Sequence, residues 1–181
     1  MTQSVSTIQR RFACLIAALA SLIPLLGCDS GIPDQNLFLP LDTVLSNSQA
    51  LVRLYSAPIP GLEGIATHPW FIVKRKSANT YSRWEVWQDA GGLYGHVRQN
   101  FLTAESGVGA GGVYVIAELQ GAAAESVVEF IYTESPTYAC KDNYVLFPGP
   151  NSNSYAQWVL TETGWNVTLP DSAIGKDVPC L

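Results

Sequence analysis

The sequence predicts an α+β fold, in which an antiparallel sheet is followed along the chain by helices that pack on it. Two observations lead to this prediction. Apolar residues recur with a period of two between residues 50 and 119, and turn residues separate the runs. From residue 122 the apolar period lengthens to that of a helix. Strands followed by helices are typical of α+β architecture.

Five strands are expected, at residues 50–56, 65–74, 83–88, 94–101 and 113–119. In the second strand, His68 and Trp70 point to the same face of the sheet. Pro69 disfavours helical angles at His68 and removes a ladder donor, so we expect His68 at a strand entry or a sheet edge. In the fourth strand, His96 shares a polar face with Tyr94 and Arg98.

Two helices are expected after the strands. The first begins near residue 122 and presents one apolar stripe. The second covers residues 154–163, ends at Gly164 and buries Tyr155, Trp158 and Val159. Between them, residues 144–147 form a brief strand or an extended segment. The stripe of the first helix consists of Ala124, Val127, Val128 and Ile131.

Length and composition indicate one acidic domain with a substantial core. The chain has 181 residues, 48% of them hydrophobic, and a formal net charge of −5. This length suits a single domain. Apart from two arginines near the N-terminus, the one basic cluster is Lys74-Arg75-Lys76. An acidic chain with so short a basic cluster is a poor nucleic-acid binder, so we expect no nucleic-acid partner.

Residues 1–27 are predicted to be a signal peptide. Arg10 and Arg11 precede an apolar run at residues 12–26, which is too short and wrongly flanked for an ordinary membrane span. The Leu-Leu-Gly-Cys sequence at residues 25–28 resembles the bacterial lipobox. This resemblance implies cleavage before Cys28 and lipidation of that residue. An ordinary signal peptide or an uncleaved anchor helix would also explain the apolar run.

A lipid anchor at Cys28 divides the chain into a signal peptide, a lipidated cysteine with its tether at residues 28–48, and one domain at residues 49–181. The tether is expected from its prolines, its Asn and Ser content and its weak periodicity. Two or more acyl chains hold a protein stably on a membrane, so the membrane is an expected partner. Asp29 resembles the enteric signal for retention in the inner membrane, which places the domain on its periplasmic face.

The segment Gly-Pro-Asn-Ser-Asn-Ser-Tyr at residues 149–155 places small polar side chains at a helix start. A helix start exposes unpaired backbone N–H groups and the positive end of the helix dipole, which favour nucleophiles and oxyanions. Asn151, Ser152 and Asn153 are therefore candidate functional residues. Helix capping explains the same residue types, and Ser154 with Gln157 fits a capping box. Spacing alone leaves both interpretations open.

Four further segments accompany this turn in a fixed order. They are Ile-Ala-Thr-His-Pro-Trp-Phe at 65–71, Arg-Trp-Glu-Val-Trp at 83–87, Tyr-Gly-His-Val-Arg at 94–98 and Ala-Ile-Gly-Lys-Asp at 173–177. Together the five segments resemble an uncharacterised bacterial family, domain-of-unknown-function family 3750. The resemblance covers about residues 50–178 and implies a family without implying an activity.

A more distant resemblance is to the circularly permuted papain-like hydrolases, which include the lecithin–retinol acyltransferase group. That clan carries a histidine at a strand start, a second polar residue on a later strand, and a cysteine at a turn that opens a helix. His68, His96 and Ser152 match these positions, with serine in place of cysteine. The resemblance implies a permuted papain-like fold in which Ser152 is the nucleophile, His68 its base and His96 the orienting group.

The sequence is compatible with three functions, and it does not decide whether the protein is an enzyme. A membrane-anchored hydrolase or acyltransferase would act on amide or ester bonds of envelope peptides or lipids. A binding module would hold a peptide, glycan or lipid in the same cleft without cleaving it. A scaffold would use the turns for the fold alone. The candidate binding residues are Asn151, Asn153, Trp70 and Lys176.

Neither a metal nor a cofactor is expected. Two histidines and two cysteines at wide spacing do not resemble a metal site. The glycine-rich segment at residues 107–112 matches the dinucleotide-binding pattern in its letters, but a strand is expected after it where that pattern needs a helix. In an oxidising compartment Cys140 and Cys180 suggest a disulfide. Cys140 as a nucleophile is the alternative.

Overall fold

The structure is a computed structural model that describes residues 39–40 and 48–180, with the backbone alone described for residues 39–40. The signal segment at residues 1–27, the lipidation site Cys28 and most of the tether lie outside the described residues. The predictions made for them stay predictions.

The described chain contains a sheet followed by helices, so the α+β prediction is confirmed. The strands are β1 (Leu39–Pro40), β2 (Leu51–Pro58), β3 (Thr67–Lys74), β4 (Thr80–Val86), β5 (Val97–Gln99) and β6 (Tyr114–Gln120). The helices are α1 (Ala122–Glu134), a 3₁₀ helix (Ser135–Thr137) and α2 (Ser152–Thr163).

The sheet is antiparallel throughout and follows the order β1–β4–β3–β2–β6, with β5 also paired to β4. Strands β2 and β3 form the central hairpin, in which Leu51 lies opposite Lys74 and Pro58 lies opposite Thr67. The loop at residues 59–66 closes this hairpin. His68 is the second residue of β3, so it lies at a strand entry as its neighbour Pro69 predicts.

Alternate side chains of each strand enter two separate cores, because successive residues point to opposite faces. The helices cover one face, where the main core forms. Its strand residues include Val52, Leu54, Phe71, Val73 and Trp84. A smaller core forms on the other face, from Tyr55, Ala57, Trp70 and Ile72 together with Ala104 from a loop.

Helix α1 packs on the sheet through the predicted stripe. Its buried residues are Ala124, Val127, Val128 and Ile131. Burying a Val or Ile side chain fully is worth about 1.5–3 kcal/mol relative to leaving it exposed. Burial of this stripe therefore explains which side of α1 faces the sheet.

Helix α2 begins at Ser152, two residues before the predicted start. Asn151 is the N-cap, and its side chain accepts from the backbone N–H of Asn153. Ser154 completes the capping box with Asn151, so the box predicted from Ser154 to Gln157 is wrong. Gly164 ends the helix with φ of 66°, as predicted. Tyr155 and Val159 are buried, whereas Trp158 is only partly buried.

The fourth strand is shorter than predicted, and the segment at residues 144–147 forms no strand. Strand β5 covers only Val97–Gln99, since Gly95 turns the chain with φ of 68°. A Cβ atom on Gly95 would lie 2.2 Å from the carbonyl oxygen of Lys141. A glycine is therefore required where these two backbones meet.

A disulfide joins Cys140 to Cys180, with the Cα atoms 5.4 Å apart. The two cysteines are separated by 40 residues in sequence. In the chain-entropy treatment, closing a loop of that length stabilises the fold by about 4 kcal/mol. The bond ties the C-terminal tail to the segment that precedes α2.

Candidate functional site

The start of α2 is held by the side chain of Asn151. Its Nδ2 atom donates to the carbonyl oxygens of Leu146 and Ile174, each at 3.1 Å. Its Oδ1 atom accepts from the backbone N–H of Asn153 at 2.9 Å. One buried amide therefore joins the helix start to the preceding loop and to the C-terminal tail.

The side chain of Asn153 makes a second set of hydrogen bonds, next to those of Asn151. Its Nδ2 atom donates to the carbonyl oxygen of Thr67 at 3.0 Å and to that of Ile174 at 2.9 Å. The hydroxyl of Ser154 donates to the carbonyl oxygen of Gly175. The helix start is thus fixed against the entry of β3 and against the tail.

The start of α2 borders an open cleft of about 290 Å³. Its walls come from the loop that closes the β2–β3 hairpin, from the segment before α2 and from the tail. The lining is apolar except near the helix. The cleft is lined by Ile59, Leu62, Ile65, Ala66, Tyr144, Leu146, Phe147, Asn151, Ser152, Asn153 and Ile174.

Ser152 contributes a hydroxyl group to this cleft. The residue is only 2% exposed. Within residues 48–180, its side chain makes no hydrogen bond, in contrast to Asn151, Asn153 and Ser154 beside it. Its hydroxyl oxygen is not fully buried, so water or a ligand in the cleft can reach it and pair with it.

His68 lies in a buried charge cluster on the Trp70 face of the sheet, opposite the face that α2 covers. Its Nε2 atom is 2.8 Å from Oε2 of Glu85, and the same oxygen accepts from Nη2 of Arg83 at 2.8 Å. The Arg83 guanidinium lies 4.1 Å from the centre of the Trp70 ring. His68, Arg83 and Glu85 are all buried.

The charges in this cluster decide which nitrogen of His68 carries its proton. Burial alone would raise the pKa of Glu85, but the positive charge of Arg83 and the hydrogen bond from His68 outweigh it and lower that pKa. An ionised carboxylate can only accept, so Nε2 of His68 is the donor. The tautomer with its single proton on Nε2 has its lone pair at Nδ1, which makes no hydrogen bond with the described residues.

His96 is placed differently from His68. Its Nδ1 atom donates to the carbonyl oxygen of Trp87 at 3.0 Å, since a carbonyl can only accept. Its ring centre lies 5.5 Å from that of Tyr144, which lines the cleft. His96 therefore packs behind a wall of the cleft.

The structure brings together some of the sequence-predicted residues. Asn151, Ser152 and Asn153 line one cleft. His68 directly follows Thr67, whose carbonyl oxygen accepts from Asn153, but its side chain points with that of Trp70 to the face of the sheet opposite α2. In the described part of the chain, no hydrogen bond joins Ser152 to either imidazole.

The other two candidate binding residues lie outside the cleft lining. Trp70 is fully buried and donates from Nε1 to the carbonyl oxygen of Ala104 at 2.8 Å. Its role is to pack the smaller core under the Arg83 guanidinium. Lys176 pairs with the neighbouring Asp177 at 3.9 Å.

Sequence reasoning missed Glu85 and Arg83, which are the partners of His68. The alternation of apolar and polar residues along β4 already indicated these partners. Trp84 and Val86 share one face, so Arg83 and Glu85 must share the other with His68. It also missed the hairpin loop at residues 59–66, because a loop's contribution to a cleft depends on how its hairpin is placed.

Two features, a metal-ligand cluster and a membrane-spanning helix, are absent from the described residues. There, no group of three or more His, Cys, Asp or Glu side chains is placed to hold a metal ion. No helix of the described chain combines the length and the apolar character that a bilayer span requires.

The fold and the site together define a small α+β domain with an apolar cleft at a helix start. The family described as "Protein of unknown function (DUF3750)" matches residues 49–178, and the chain belongs to this family. The first resemblance is therefore confirmed. Comparison with curated proteins found no match. Comparison with solved structures found none either.

Proposed function

We propose that this chain is a lipid-anchored protein of the bacterial envelope whose domain binds an apolar ligand in the cleft at the start of α2. The observation that supports it best is the Ser152 hydroxyl, which faces a mostly apolar cleft and makes no hydrogen bond within the described chain. Concave, mostly apolar sites with a few convergent polar groups are typical of ligand binding.

The polar end of the ligand would lie against the first turn of α2. The capping box already pairs the backbone N–H groups of Asn151 and Asn153, so the Ser152 hydroxyl and the positive end of the helix dipole are what the first turn offers a ligand. A carbonyl or other electron-rich oxygen is favoured at such a place. The apolar part of the ligand would then lie along Ile59, Leu62 and Ile65.

The anchor belongs to the same proposal. Lipidation at Cys28 would hold the domain at the periplasmic face of the inner membrane, where envelope lipids, peptides and glycans are within reach. Intact-mass analysis of a membrane extract tests this part. A chain that begins at a lipidated Cys28 is expected, and an unmodified Cys28 would contradict the anchor.

Calorimetric titration with octan-1-ol, a neutral single-chain amphiphile, tests the cleft. We expect one molecule to bind per chain, and Ile65→Glu to weaken binding by tenfold or more because it brings a charge to the apolar wall. Leu93→Glu is the matched control, since Leu93 is 61% exposed and Ile65 is 59% exposed, but Leu93 does not line the cleft. Absence of binding, or equal effects of both variants, would contradict the proposal.

A second candidate function is acyl hydrolysis or transfer in a permuted papain-like cleft. It is favoured by the hydrogen bond from His68 to Glu85, which leaves Nδ1 of His68 as the basic nitrogen. Ser152 would attack a carbonyl carbon while its proton passes to His68 and then to the leaving amine or alcohol. Because His68 points with Trp70 to the face of the sheet opposite α2, this transfer requires the two side chains to meet around the start of β3. Glu85 would take the orienting role that the sequence assigned to His96.

Labelling with a fluorophosphonate probe distinguishes the two functions. An enzyme of this kind is expected to be labelled at Ser152, and His68→Ala should abolish labelling while Ser126→Ala, an exposed serine of α1, should not. If the wild-type protein binds octan-1-ol but resists the probe, the binding function stands and the catalytic one does not.

A further inference from the structure

Exposed apolar side chains gather around the mouth of the cleft. Eight large apolar side chains are exposed in the described part of the chain, and four of them lie on two loops. Ile65 lies on the hairpin loop at residues 59–66, and Val145, Leu146 and Phe147 lie on the loop at residues 143–150 that leads to α2. Ile65, Leu146 and Phe147 also line the cleft. The two loops, which we call the rim loops, therefore form one apolar rim.

Both rim loops are held by their own backbone hydrogen bonds. In the hairpin loop, the N–H of Ile59 donates to the carbonyl oxygen of Ala66 at 3.1 Å, and the N–H of Ala66 donates to that of Leu62 at 2.9 Å. In the second loop, the N–H of Val145 donates to the carbonyl oxygen of Pro150 at 2.8 Å. The exposed side chains are thus presented on a fixed backbone, so little further ordering is needed when they bind a partner.

The rim loops carry almost no charge. Glu63 is the one charged residue of segments 59–66 and 143–150, and its carboxylate accepts from the backbone N–H of Gly61 at 3.0 Å. Neither segment contains a lysine or an arginine, so the rim is not suited to attract anionic groups. An exposed apolar patch of this kind is typical of a surface that binds an apolar partner.

The proposed lipid anchor indicates which apolar partner lies within reach. Eleven residue steps separate Cys28 from Leu39, where β1 begins, and a chain of that length spans at most about 40 Å. The domain matched at residues 49–178 has the size at which a radius of gyration of roughly 14 Å is expected. The tether therefore keeps the domain at the bilayer and is long enough for the mouth of the cleft to turn towards it.

We infer that the rim loops insert into the surface of the bilayer that holds the anchor, so that the cleft opens towards the lipid. This inference rests on the proposed anchor and the proposed apolar-ligand site, and it names the bilayer as the source of the ligand. Phe147 is the most exposed of the rim side chains, at 72%, and aromatic rings are favoured at the membrane interface. Because apolar area rather than charge drives this insertion, a neutral lipid surface suffices.

Quenching of tryptophan fluorescence by lipids with brominated acyl chains tests the inference, because the bromine atoms quench an indole that reaches the hydrocarbon. The full lipidated chain is reconstituted into phosphatidylcholine vesicles with brominated or unmodified chains, with and without phosphatidylglycerol. We expect Phe147→Trp to lose fluorescence in brominated vesicles relative to the wild type. Leu93→Trp should show no such loss, since Leu93 is similarly exposed but does not line the cleft.

A charge on the opposite rim loop provides a second arm of the experiment. Ile65→Glu, added to Phe147→Trp, should restore the fluorescence in brominated vesicles, because a carboxylate on the rim opposes insertion. Leu93→Glu, added to the same variant, should leave the loss unchanged. Phosphatidylglycerol should not be required, because the rim loops carry no basic residue.

The outcomes separate this inference from the function on which it rests. Equal fluorescence of Phe147→Trp in both kinds of vesicle, with a lipidated Cys28 by intact mass, would overturn the insertion and leave the rim to a protein partner. A loss that requires phosphatidylglycerol would also overturn it, because charge elsewhere on the domain would then hold it down. Failure of the wild-type chain to bind octan-1-ol without vesicles would instead overturn the proposed ligand site, and an unmodified Cys28 would overturn the proposed anchor.

Discussion

At the scale of single residues, Glu85 determines the charge balance of the buried cluster that it forms with His68 and Arg83. It is fully buried and accepts from both His68 and Arg83. Removing one partner of a buried ion pair leaves an uncompensated charge, at a cost of about 3–5 kcal/mol. Glu129, which pairs with Arg75 at the surface and is 56% exposed, offers a contrast. Surface pairs of that kind are worth about 0–1 kcal/mol.

We therefore expect Glu85→Gln to lower the free energy of unfolding at neutral pH by several kcal/mol and to flatten its dependence on acid. The pKa of Glu85 is lower in the folded chain than in the unfolded chain. The stabilisation that Glu85 contributes is complete above its unfolded-state pKa of about 4.3. It is lost as the pH falls through the lower pKa of the folded state. Urea unfolding across this range measures both effects.

Glu129→Gln is the control for that experiment. It should change the free energy of unfolding by less than about 1 kcal/mol and keep the wild-type dependence on acid. An acid dependence of Glu85→Gln that matches the wild type would show that Glu85 is not the titrating group.

The residues of the site were predicted only in part, and the reason is the strand register. Ser152 and its neighbours were found because a helix start has its own sequence signature. The partner of His68 depends on which residue of β4 lies beside it. That register is set by the hairpin connections and not by the local sequence, so His96 was chosen where the structure places Glu85.

At the scale of elements, the start of α2 and the C-terminal tail form one unit. Gly175 lies where they meet, with φ of 92°. A Cβ atom there would lie 2.5 Å from Nδ2 of Asn151 and 2.7 Å from the carbonyl oxygen of Pro148. Gly164, at the other end of α2, also has positive φ but has open space around it.

Alanine substitutions at these two glycines separate backbone strain from close packing. Gly164→Ala should cost about 1–2 kcal/mol, the cost of a left-handed backbone alone. Gly175→Ala should cost more, by roughly a further 1–3 kcal/mol, because the methyl group must displace the Asn151 amide. Thermal and urea unfolding of both variants provide the comparison. Equal losses would mean that the tail does not pack tightly against the helix start.

The elements themselves were largely predictable. The stripe of α1 and the end of α2 at Gly164 follow from side-chain periodicity and from glycine's freedom at positive φ, which are local properties. The fourth strand was predicted too long because its alternation continues through Gly95. The turn there is imposed by Lys141, a residue 46 positions away in the chain.

At the scale of the whole molecule, the Cys140–Cys180 disulfide couples overall stability to the cleft. The tail that it ties down carries Ile174, which lines the cleft and whose carbonyl oxygen accepts from Asn151 and Asn153. Releasing the tail should therefore affect both the unfolding equilibrium and ligand binding.

We expect the double variant Cys140→Ser/Cys180→Ser to lose about 4 kcal/mol of unfolding free energy and to bind octan-1-ol more weakly. Wild-type protein treated with a reductant should behave in the same way, which controls for the serine side chains. Unchanged stability under reducing conditions would mean that the bond does not constrain the chain.

The central claim is that the start of α2 forms the floor of a ligand site. The most direct test is an NMR titration of ¹⁵N-labelled protein with octan-1-ol. We expect the largest amide chemical-shift changes at Ser152, Asn153 and Ile65, and no change at Leu93 and Ser126. Shifts elsewhere with none at Ser152, or no saturable shifts at all, would contradict it.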